Sequence, residues 1–190
     1  MLNEIQRAEI ARLWTRKLQQ DEQKLPQSVR HRNLEPDSAE FISALAAGIR
    51  AQRLLEIGGS SGISTIALGA AALATEGRLT SIEIEPQRQA EARETIRRLG
   101  LQEHVEFILA DASLVLPALV EPFDFALIDC EKDDYTRFFE AIPSHPGTVI
   151  VADNILSHGL TDYLAFVRSR STQSITLPIG KGLEVTVYAG

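Results

Sequence analysis

The stretch LLEIGGSSGIST, residues 54–65, decides the fold of this chain. It places an apolar strand directly before a glycine-rich turn and the start of a helix, the arrangement in which α/β proteins bind ligands at a strand end. Gly58 and Gly59 let the backbone approach a ligand where a Cβ would clash, and free N–H groups at the helix start can receive a carboxylate or phosphate. Glycines also occur in such turns for steric reasons alone, so the neighbouring strands must decide between these interpretations.

Apolar runs typical of buried strands alternate with helical patterns around this stretch. The sequence predicts strands at residues 53–57, 78–84, 105–109, 123–128 and 148–153, and helices at about 62–75, 86–99, 112–120 and 133–141. Near-continuous apolar strands separated by helices are typical of a parallel sheet that is covered on both faces.

The C-terminal end departs from this alternation. After a helix at about residues 157–170, the runs SITLP (174–178) and LEVTVY (183–188) are joined only by IGKG. That link is too short for a right-handed parallel crossover and suits an antiparallel hairpin. The predicted fold class is therefore α/β: a doubly wound, Rossmann-like, seven-stranded sheet, mostly parallel with one antiparallel strand near the C-terminus, and helices on both faces.

A helical pattern precedes the sheet. Apolar residues recur near helical spacing through about residue 22, at Leu2, Ile5, Ile10, Leu13 and Leu18. Such a stripe needs a partner surface, either the main domain or a second copy of the chain, and we expect a homodimer. A second helix should begin at Pro36 or Asp37. We therefore predict an N-terminal helical extension over residues 1–35 and one main domain over residues 36–190.

Composition and charge limit the classes of function. The chain has 190 residues, 44% hydrophobic and 24% charged, so one domain can bury a core without disulfides or a structural metal. Cys130 is the single cysteine. We see neither a signal peptide nor a membrane span and expect a cytoplasmic protein. The net charge of -7 argues against a nucleic-acid partner, because such proteins usually carry a basic face.

Acidic residues stand at the predicted ends of the second and third strands. Glu83 comes about 25 residues after Gly58, where a carboxylate can accept two hydrogen bonds from a ribose diol. Asp111 follows the third strand, where a carboxylate and a backbone N–H could contact an adenine edge. A nicotinamide dinucleotide site has a similar acidic residue, but its usual Gly-x-Gly-x-x-Gly is absent, since the glycines here are Gly58, Gly59 and Gly62.

Oxygen-bearing side chains also stand at the ends of the fourth and fifth strands. They are Asp129, Asp153 and Asn154. These two strands are neighbours in a doubly wound sheet, so the three side chains should converge. Two carboxylates and an amide oxygen suit a hard divalent cation such as Mg²⁺ or Ca²⁺, whereas helix capping is the structural alternative. Lys132, three residues after Asp129, favours a site with chemistry.

The chain resembles the class I S-adenosylmethionine (SAM) dependent methyltransferases, and more closely the cation-dependent O-methyltransferases related to catechol and caffeoyl-CoA O-methyltransferases. The motifs that carry this resemblance are EIGGSSGIST, IEIEP, ADAS, LIDCEKDDY and VADN. It covers about residues 30–190 and includes the closing PIGKGLEVTV. It implies SAM and a divalent cation as cofactors, and methyl transfer to a hydroxyl of a small, aromatic or catechol-like acceptor.

The resemblance also implies roles for individual residues. The cofactor-binding set would be Glu56, Gly58, Ser60 and Ser64 around the methionine part, Glu83 at the ribose, Asp111 and Ala112 at the adenine, and Asp129. The metal ligands would be Asp129, Asp153 and Asn154. Lys132 would be the general base that takes the acceptor's proton, after which alignment of the oxyanion with the sulfonium methyl would provide most of the acceleration.

Two features depart from the resembled family. The stretch between Asn154 and the final hairpin is short, whereas longer relatives have an insertion there that shapes the acceptor pocket. Glu131 precedes Lys132, where animal catechol enzymes have an aromatic residue, so a wall for a flat phenol is not evident. His31 and His158 are candidates for contact with cofactor or acceptor, with solvation or capping as the ordinary alternative.

Three other interpretations stay open at this stage. One is a metal-independent methyltransferase of the same fold. The others are a non-catalytic nucleoside-binding module and an NAD-dependent dehydrogenase. The combination of Asp129, Lys132, Asp153 and Asn154 favours a cation-dependent enzyme over the metal-independent one, the binding module has no feature in its favour, and the glycine spacing disfavours the dehydrogenase.

Overall fold

The sheet organises the molecule. A computed structural model describes residues 2–26, 29–170 and 173–190. Within them, seven strands form one sheet in the order β3-β2-β1-β4-β5-β7-β6. The strands are β1 Arg53–Ile57, β2 Arg78–Glu83, β3 Val105–Leu109, β4 Phe123–Ile128, β5 Ser144–Ala152, β6 Gln173–Leu177 and β7 Leu183–Val187.

Strand β7 is the one reversed strand. It pairs antiparallel with both β5 and β6, while the pairs among β1 to β5 are parallel. The predicted fold class is therefore confirmed. Strand β5 begins at Ser144, earlier than predicted. Its first part includes Pro146 and Gly147, and its register with β4 shifts in this part of the strand.

Eight α-helices surround the sheet in the described residues. They are α1 Glu4–Glu22, α2 Pro36–Gly48, α3 Ile63–Thr75, α4 Pro86–Arg98, α5 Ala112–Val115, α6 Tyr135–Ala141, α7 Ile155–His158 and α8 Thr161–Ser169. None of the helices in these ranges combines the length and the apolar character that crossing a membrane requires.

Two predicted helices are shorter or divided. The helix predicted at 112–120 ends as α-helix at Val115 and continues only as a 3-10 turn, since Pro117 has no N–H for a helical hydrogen bond. The helix predicted at about 157–170 is divided into α7 and α8. Gly159, with φ 58°, lies between them in the left-handed conformation that ends α7.

The central strands β1, β4 and β5 are buried on both faces along most of their length, because successive side chains point to opposite sides of a sheet and both sides are covered. Leu54 packs into a core with residues of α1, α2 and α3, whereas Leu55 packs into a second core with residues of α6 and α8. This double covering explains why the strands read as nearly continuous apolar runs.

Helix α1 packs on its own chain. It begins with a capping box in which the side chains of Asn3 and Gln6 each accept the other's backbone N–H. Three residues of the predicted stripe, Leu2, Ile10 and Leu13, are buried in the core with α2 and α3, while Ile5 and Leu18 are exposed. The main domain is thus a partner surface for the stripe; the homodimer and the domain boundary at residues 35 and 36 stay predictions.

Candidate active site

A cavity of about 590 Å³ lies at the carboxyl ends of the central strands. Its wall includes six of the predicted cofactor residues: Gly58, Ser60, Glu83, Asp111, Ala112 and Asp129. These residues follow four neighbouring strands, so the topology brings together positions that are up to 71 residues apart, from 58 to 129. The cavity size is that of a small-molecule or cofactor site.

The turn after β1 packs closely against the end of β4. Gly58 has φ +95°, and a Cβ at this position would lie 2.1 Å from the carbonyl oxygen of Asp129. Asp129 in turn donates its N–H to the carbonyl of Ile57 at 2.9 Å. Glycine is therefore required here both for its conformation and for its size.

Glu56 lies beneath the turn. Its Oε2 accepts hydrogen bonds from the hydroxyls of Thr65 at 2.7 Å and Ser81 at 2.5 Å, and burial raises the pKa of this carboxyl. Ser64 is also buried, and neither it nor Glu56 belongs to the cavity wall. Their assignment to the methionine part of a cofactor stays a prediction; the structure places Glu56 as a support of the turn.

Glu83 ties the turn to the end of β2. Its carboxylate accepts three backbone hydrogen bonds, from Ser60 at 2.7 Å and from Ile84 and Glu85 at 2.9 Å each. Two carboxylate oxygens can accept about four bonds, so this side chain retains capacity for a further donor in the cavity.

Asp111 caps helix α5. Its Oδ1 accepts the N–H of Ser113 at 2.8 Å, and hydrogen bonding by Ser113 holds the pKa of this carboxyl below its usual value. Ala112 is buried beside it on the cavity wall. The predicted adenine contact and the cap are compatible, because the second carboxylate oxygen is not used in the cap.

Asp129, Asp153 and Asn154 converge beside the cavity, at a corner where Asp129 belongs to the wall and Asp153, Asn154 and Lys132 do not. The Asn154 amide nitrogen donates to Asp129 Oδ1 at 2.9 Å and to Asp153 Oδ2 at 2.8 Å. Asp153 Oδ1 is buried and has no hydrogen-bond partner in the part of the chain that the structure describes. Burial together with the nearby charge of Asp129 raises the pKa of Asp153 to about 8. The described residues contain no group of three or more His, Cys, Asp and Glu suited to a metal.

Lys132 points at the same corner. Its Nζ donates to the Tyr135 hydroxyl at 2.7 Å and to the Cys130 carbonyl at 3.1 Å, and lies 3.4 Å from Asp129 Oδ1. The Tyr135 hydroxyl donates to the backbone carbonyl of Asp153 at 3.2 Å. Sequence reasoning missed Tyr135; its signal was an aromatic residue three positions after Lys132 at the start of a predicted helix.

The segment before α2 closes one side of the cavity. The Arg32 N–H donates to the Ser60 hydroxyl at 3.0 Å, the Asn33 amide donates to the Ser61 hydroxyl at 2.8 Å, and the Arg32 guanidinium pairs with Glu131. Sequence reasoning did not identify this pairing, because its partners are 99 residues apart and no local pattern connects them.

The two candidate histidines lie outside the cavity wall. His31 is 4% exposed, pairs with Glu91 at 2.8 Å, and burial lowers its pKa despite that carboxylate. His158 is exposed, and its Nδ1 lies 2.8 Å from the Ser157 hydroxyl.

Comparison with known proteins agrees with this geometry. A family model described as O-methyltransferase matches residues 9–175. The chain belongs to this O-methyltransferase family. The resemblance seen in the sequence motifs is thereby confirmed, including its relation to catechol O-methyltransferases.

Two relatives are named catechol O-methyltransferase. The one from Niastella koreensis is 40% identical over 133 residues, which cover 67% of this chain and 60% of that protein. The one from Mycobacterium tuberculosis is 37% identical over 123 residues, covering 63% of this chain and 56% of that protein. The chain thus spans less than two thirds of these relatives' length.

A solved structure shares the whole fold. The O-methyltransferase TomG from Streptomyces achromogenes, which takes part in tomaymycin synthesis and was solved in complex with SAM, superposes with a TM-score of 0.80 at 25% identity. The match covers 100% of this chain and 92% of TomG.

Proposed function

We propose that this chain is a SAM-dependent O-methyltransferase that methylates a hydroxyl of a small, aromatic or catechol-like molecule with the help of a divalent cation. The observation that carries the proposal is the oxygen-rich corner formed by Asp129, Asp153 and Asn154 at the edge of the cavity. Asp129 belongs to both regions, so a methyl donor in the cavity would meet an acceptor at this corner.

The cavity wall supplies the groups that a nucleoside cofactor needs. Glu83 retains hydrogen-bonding capacity for a ribose diol, and Asp111 with Ala112 borders the space for an adenine. Gly58 lets the turn pack directly against the end of β4, which places Asp129 beside the turn on the cavity wall. TomG supports this proposal, because a relative with the same fold binds SAM.

The donor set at the corner fits a hard divalent cation. Asp153 Oδ1 is a buried oxygen without a hydrogen-bond partner among the described residues, and the Asn154 amide bridges the carboxylates of Asp129 and Asp153. Asn154 would present its amide oxygen instead of its nitrogen after rotation about one bond. What Mg²⁺ or Ca²⁺ supplies when bound is a lower pKa for the acceptor hydroxyl and stabilisation of its oxyanion.

Lys132 is the residue that would receive the acceptor's proton. Its Nζ is held at the corner by Tyr135 and the Cys130 carbonyl, within 3.4 Å of Asp129. The acceptor oxygen would then form a bond to the methyl carbon as the carbon–sulfur bond breaks, leaving S-adenosylhomocysteine and a methyl ether. The protein's main contribution to this step is to align the two reactants.

Three further predictions accompany the proposal. The partner is a small hydroxylated acceptor and neither nucleic acid nor a membrane. The protein is cytoplasmic. It assembles as a homodimer, which light scattering on the full chain would test.

The decisive experiment measures methyl transfer from SAM to catechol with Mg²⁺ and with excess chelator. We expect activity to disappear in chelator and to return with Mg²⁺. Asp153→Asn should reduce turnover by about a hundredfold or more, the scale on which loss of metal-based stabilisation acts. Asp162→Asn, an exposed aspartate in the first turn of α8, is the control and should retain activity.

Calorimetry with S-adenosylhomocysteine separates the two parts of the proposal. Asp153→Asn should bind it as the unmodified protein does, since the cation contacts the acceptor and not the nucleoside. Activity that persists in chelator would instead support the metal-independent methyltransferase. Failure of the unmodified protein to bind the cofactor would contradict the proposed function as a whole.

A further inference from the structure

An ion pair lies beside the corner formed by Asp129, Asp153 and Asn154. Arg32, from the segment before α2, pairs with Glu131, the residue before Lys132, and both belong to the cavity wall with Asp129. Burial lowers the pKa of Arg32, but the hydrogen bond and charge of Glu131 raise it by more, and the charge of Asp129 raises it further. The Arg32 guanidinium therefore lies near two carboxylates, those of Glu131 and Asp129.

Arg32 has a defined position. Its own N–H is bound by Ser60, and the next residue, Asn33, is held by two-way hydrogen bonding with Ser61. Ser60 is in turn fixed by Glu83. A guanidinium whose backbone is tied to the glycine-rich turn is preorganised to bind a planar carboxylate.

Glu131, in contrast, is poorly anchored. Its side chain is 63% exposed, and its only side-chain hydrogen bonds in the described residues are those with Arg32. An exposed carboxylate thus occupies the anion-binding position beside the Arg32 guanidinium.

A second cation near the corner has a carboxylate partner that is harder to displace. Lys181, in the β6–β7 hairpin, pairs with Glu35 at 2.7 Å, and the Glu35 side chain is only 12% exposed. Displacing a largely buried carboxylate from its partner is costly, whereas an exposed ion pair contributes little stability. An incoming anion would therefore exchange with Glu131 and not with Glu35.

We propose that Arg32 binds a carboxylate of the methyl acceptor, so that the preferred substrates are acidic aromatic diols. This inference rests on the proposed function and adds the substrate class. Glu131 occupies the anion position when no acceptor is bound and moves into solvent when the acceptor's carboxylate takes its place. Asp134 on the same wall pairs with Arg137 at 2.8 Å, whereas Glu131 is the carboxylate that contacts Arg32.

The test compares two acids with their neutral amides: 3,4-dihydroxybenzoate against 3,4-dihydroxybenzamide, and 3-(3,4-dihydroxyphenyl)propanoate against its amide. Binding to the protein with S-adenosylhomocysteine and Mg²⁺ is measured by calorimetry, and methylation with SAM by kcat/KM. In at least one pair we expect the acid to be preferred by about tenfold or more, the value of a charged hydrogen bond. Arg32→Gln should remove that preference, and Glu131→Gln should keep or increase it.

The control is Arg30→Gln. Arg30 is two residues away and pairs with Asp21 at 3.0 Å, so this variant removes the same charge from the same segment and should keep the preference. Equal binding of acid and amide in both pairs would overturn the inference, as would an unchanged preference in Arg32→Gln. A loss confined to cofactor affinity in Arg32→Gln would assign this residue to SAM and also overturn it. Binding preference without methylation of any diol would contradict only the proposed function.

Discussion

At the scale of single residues, Tyr135 shows how the site depends on a side chain with no evident chemistry of its own. Its hydroxyl accepts from Lys132 Nζ at 2.7 Å and donates to the Asp153 carbonyl at 3.2 Å. The residue is fully buried, and burial raises its pKa well above the usual value, so it acts as a neutral hydroxyl. It connects Lys132 to the end of β5 and positions the lysine.

Replacement of Tyr135 by phenylalanine should lower kcat by about tenfold, because one hydrogen bond that orients Lys132 is lost. The KM for SAM should change little, and the pH profile of kcat should shift, which a purely structural role would not produce. Steady-state kinetics across pH measures both effects.

Tyr163 offers a matched control for this variant. It packs edge-on against Tyr135 with ring centroids 5.6 Å apart, and its buried hydroxyl has no hydrogen-bond partner in the described residues. Tyr163→Phe removes an unpaired polar group and should leave kcat unchanged and stability equal or higher. Equal loss of kcat in both variants would contradict the positioning role of Tyr135.

Replacement of Glu83 by alanine should weaken binding of S-adenosylhomocysteine by about tenfold or more. The variant loses a carboxylate available to the ribose and the acceptor that holds the Ser60 N–H, and each charged hydrogen bond is worth about 1.5–3 kcal/mol. Calorimetry on the folded variant measures the change, with Glu106→Ala on β3 as the control. Unchanged affinity in folded Glu83→Ala would remove the ribose assignment.

At the scale of elements, the turn between β1 and α3 depends on backbone geometry more than on side-chain chemistry. Gly58→Ala would place a Cβ 2.1 Å from the Asp129 carbonyl at a positive φ, so we expect a loss of more than about 2 kcal/mol in the free energy of unfolding. Denaturant titration measures this loss.

Gly48, at the end of α2, is the control for that substitution. A Cβ there would meet no atom within 4 Å, so Gly48→Ala should stabilise the protein by about 0.5–1 kcal/mol through the helix preference of alanine. Equal effects of the two substitutions would show that the close approach of the turn to β4 is unimportant.

At the scale of the whole molecule, His31 joins parts that are distant in sequence. Its N–H donates to the Gln20 side chain of α1 at 2.8 Å, and its Nε2 lies 2.8 Å from Glu91 of α4. Its Nδ1 is buried without a hydrogen-bond partner in the described residues. Burial lowers the pKa of His31. The folded protein therefore keeps this imidazole neutral at pH values at which it is protonated in the unfolded chain.

The lowered pKa of His31 makes the stability of the protein depend on pH. Above pH about 6.5 the imidazole is neutral in both states and has no effect. As pH falls from there towards the lowered pKa of the folded state, the unfolded chain binds more protons, and stability decreases. His31→Gln should therefore show a shallower decrease between pH 7 and pH 5 in chemical unfolding experiments. Parallel curves for the two proteins would contradict the burial of a neutral His31.

The sequence by itself determined the sheet, the turn and the set of polar residues at the strand ends. Apolar runs, glycines and the short IGKG link are local patterns, and each restricts the nearby backbone whatever surrounds it. They were sufficient to predict the reversed β7 and the convergence of Asp129 with Asp153, because strand order in a doubly wound sheet brings the ends of β4 and β5 together.

Tertiary structure alone decided which side chains complete the site and which surface α1 covers. Arg32 meets Glu131 and Tyr135 meets the Asp153 carbonyl through contacts between elements, and the apolar stripe of α1 could equally have packed on a second copy. No local pattern contains such pairings, because they depend on how helices and loops pack over the sheet. The ends of α5 and α7 differ from such pairings, because Pro117 and Gly159 are local signals that the sequence prediction did not use.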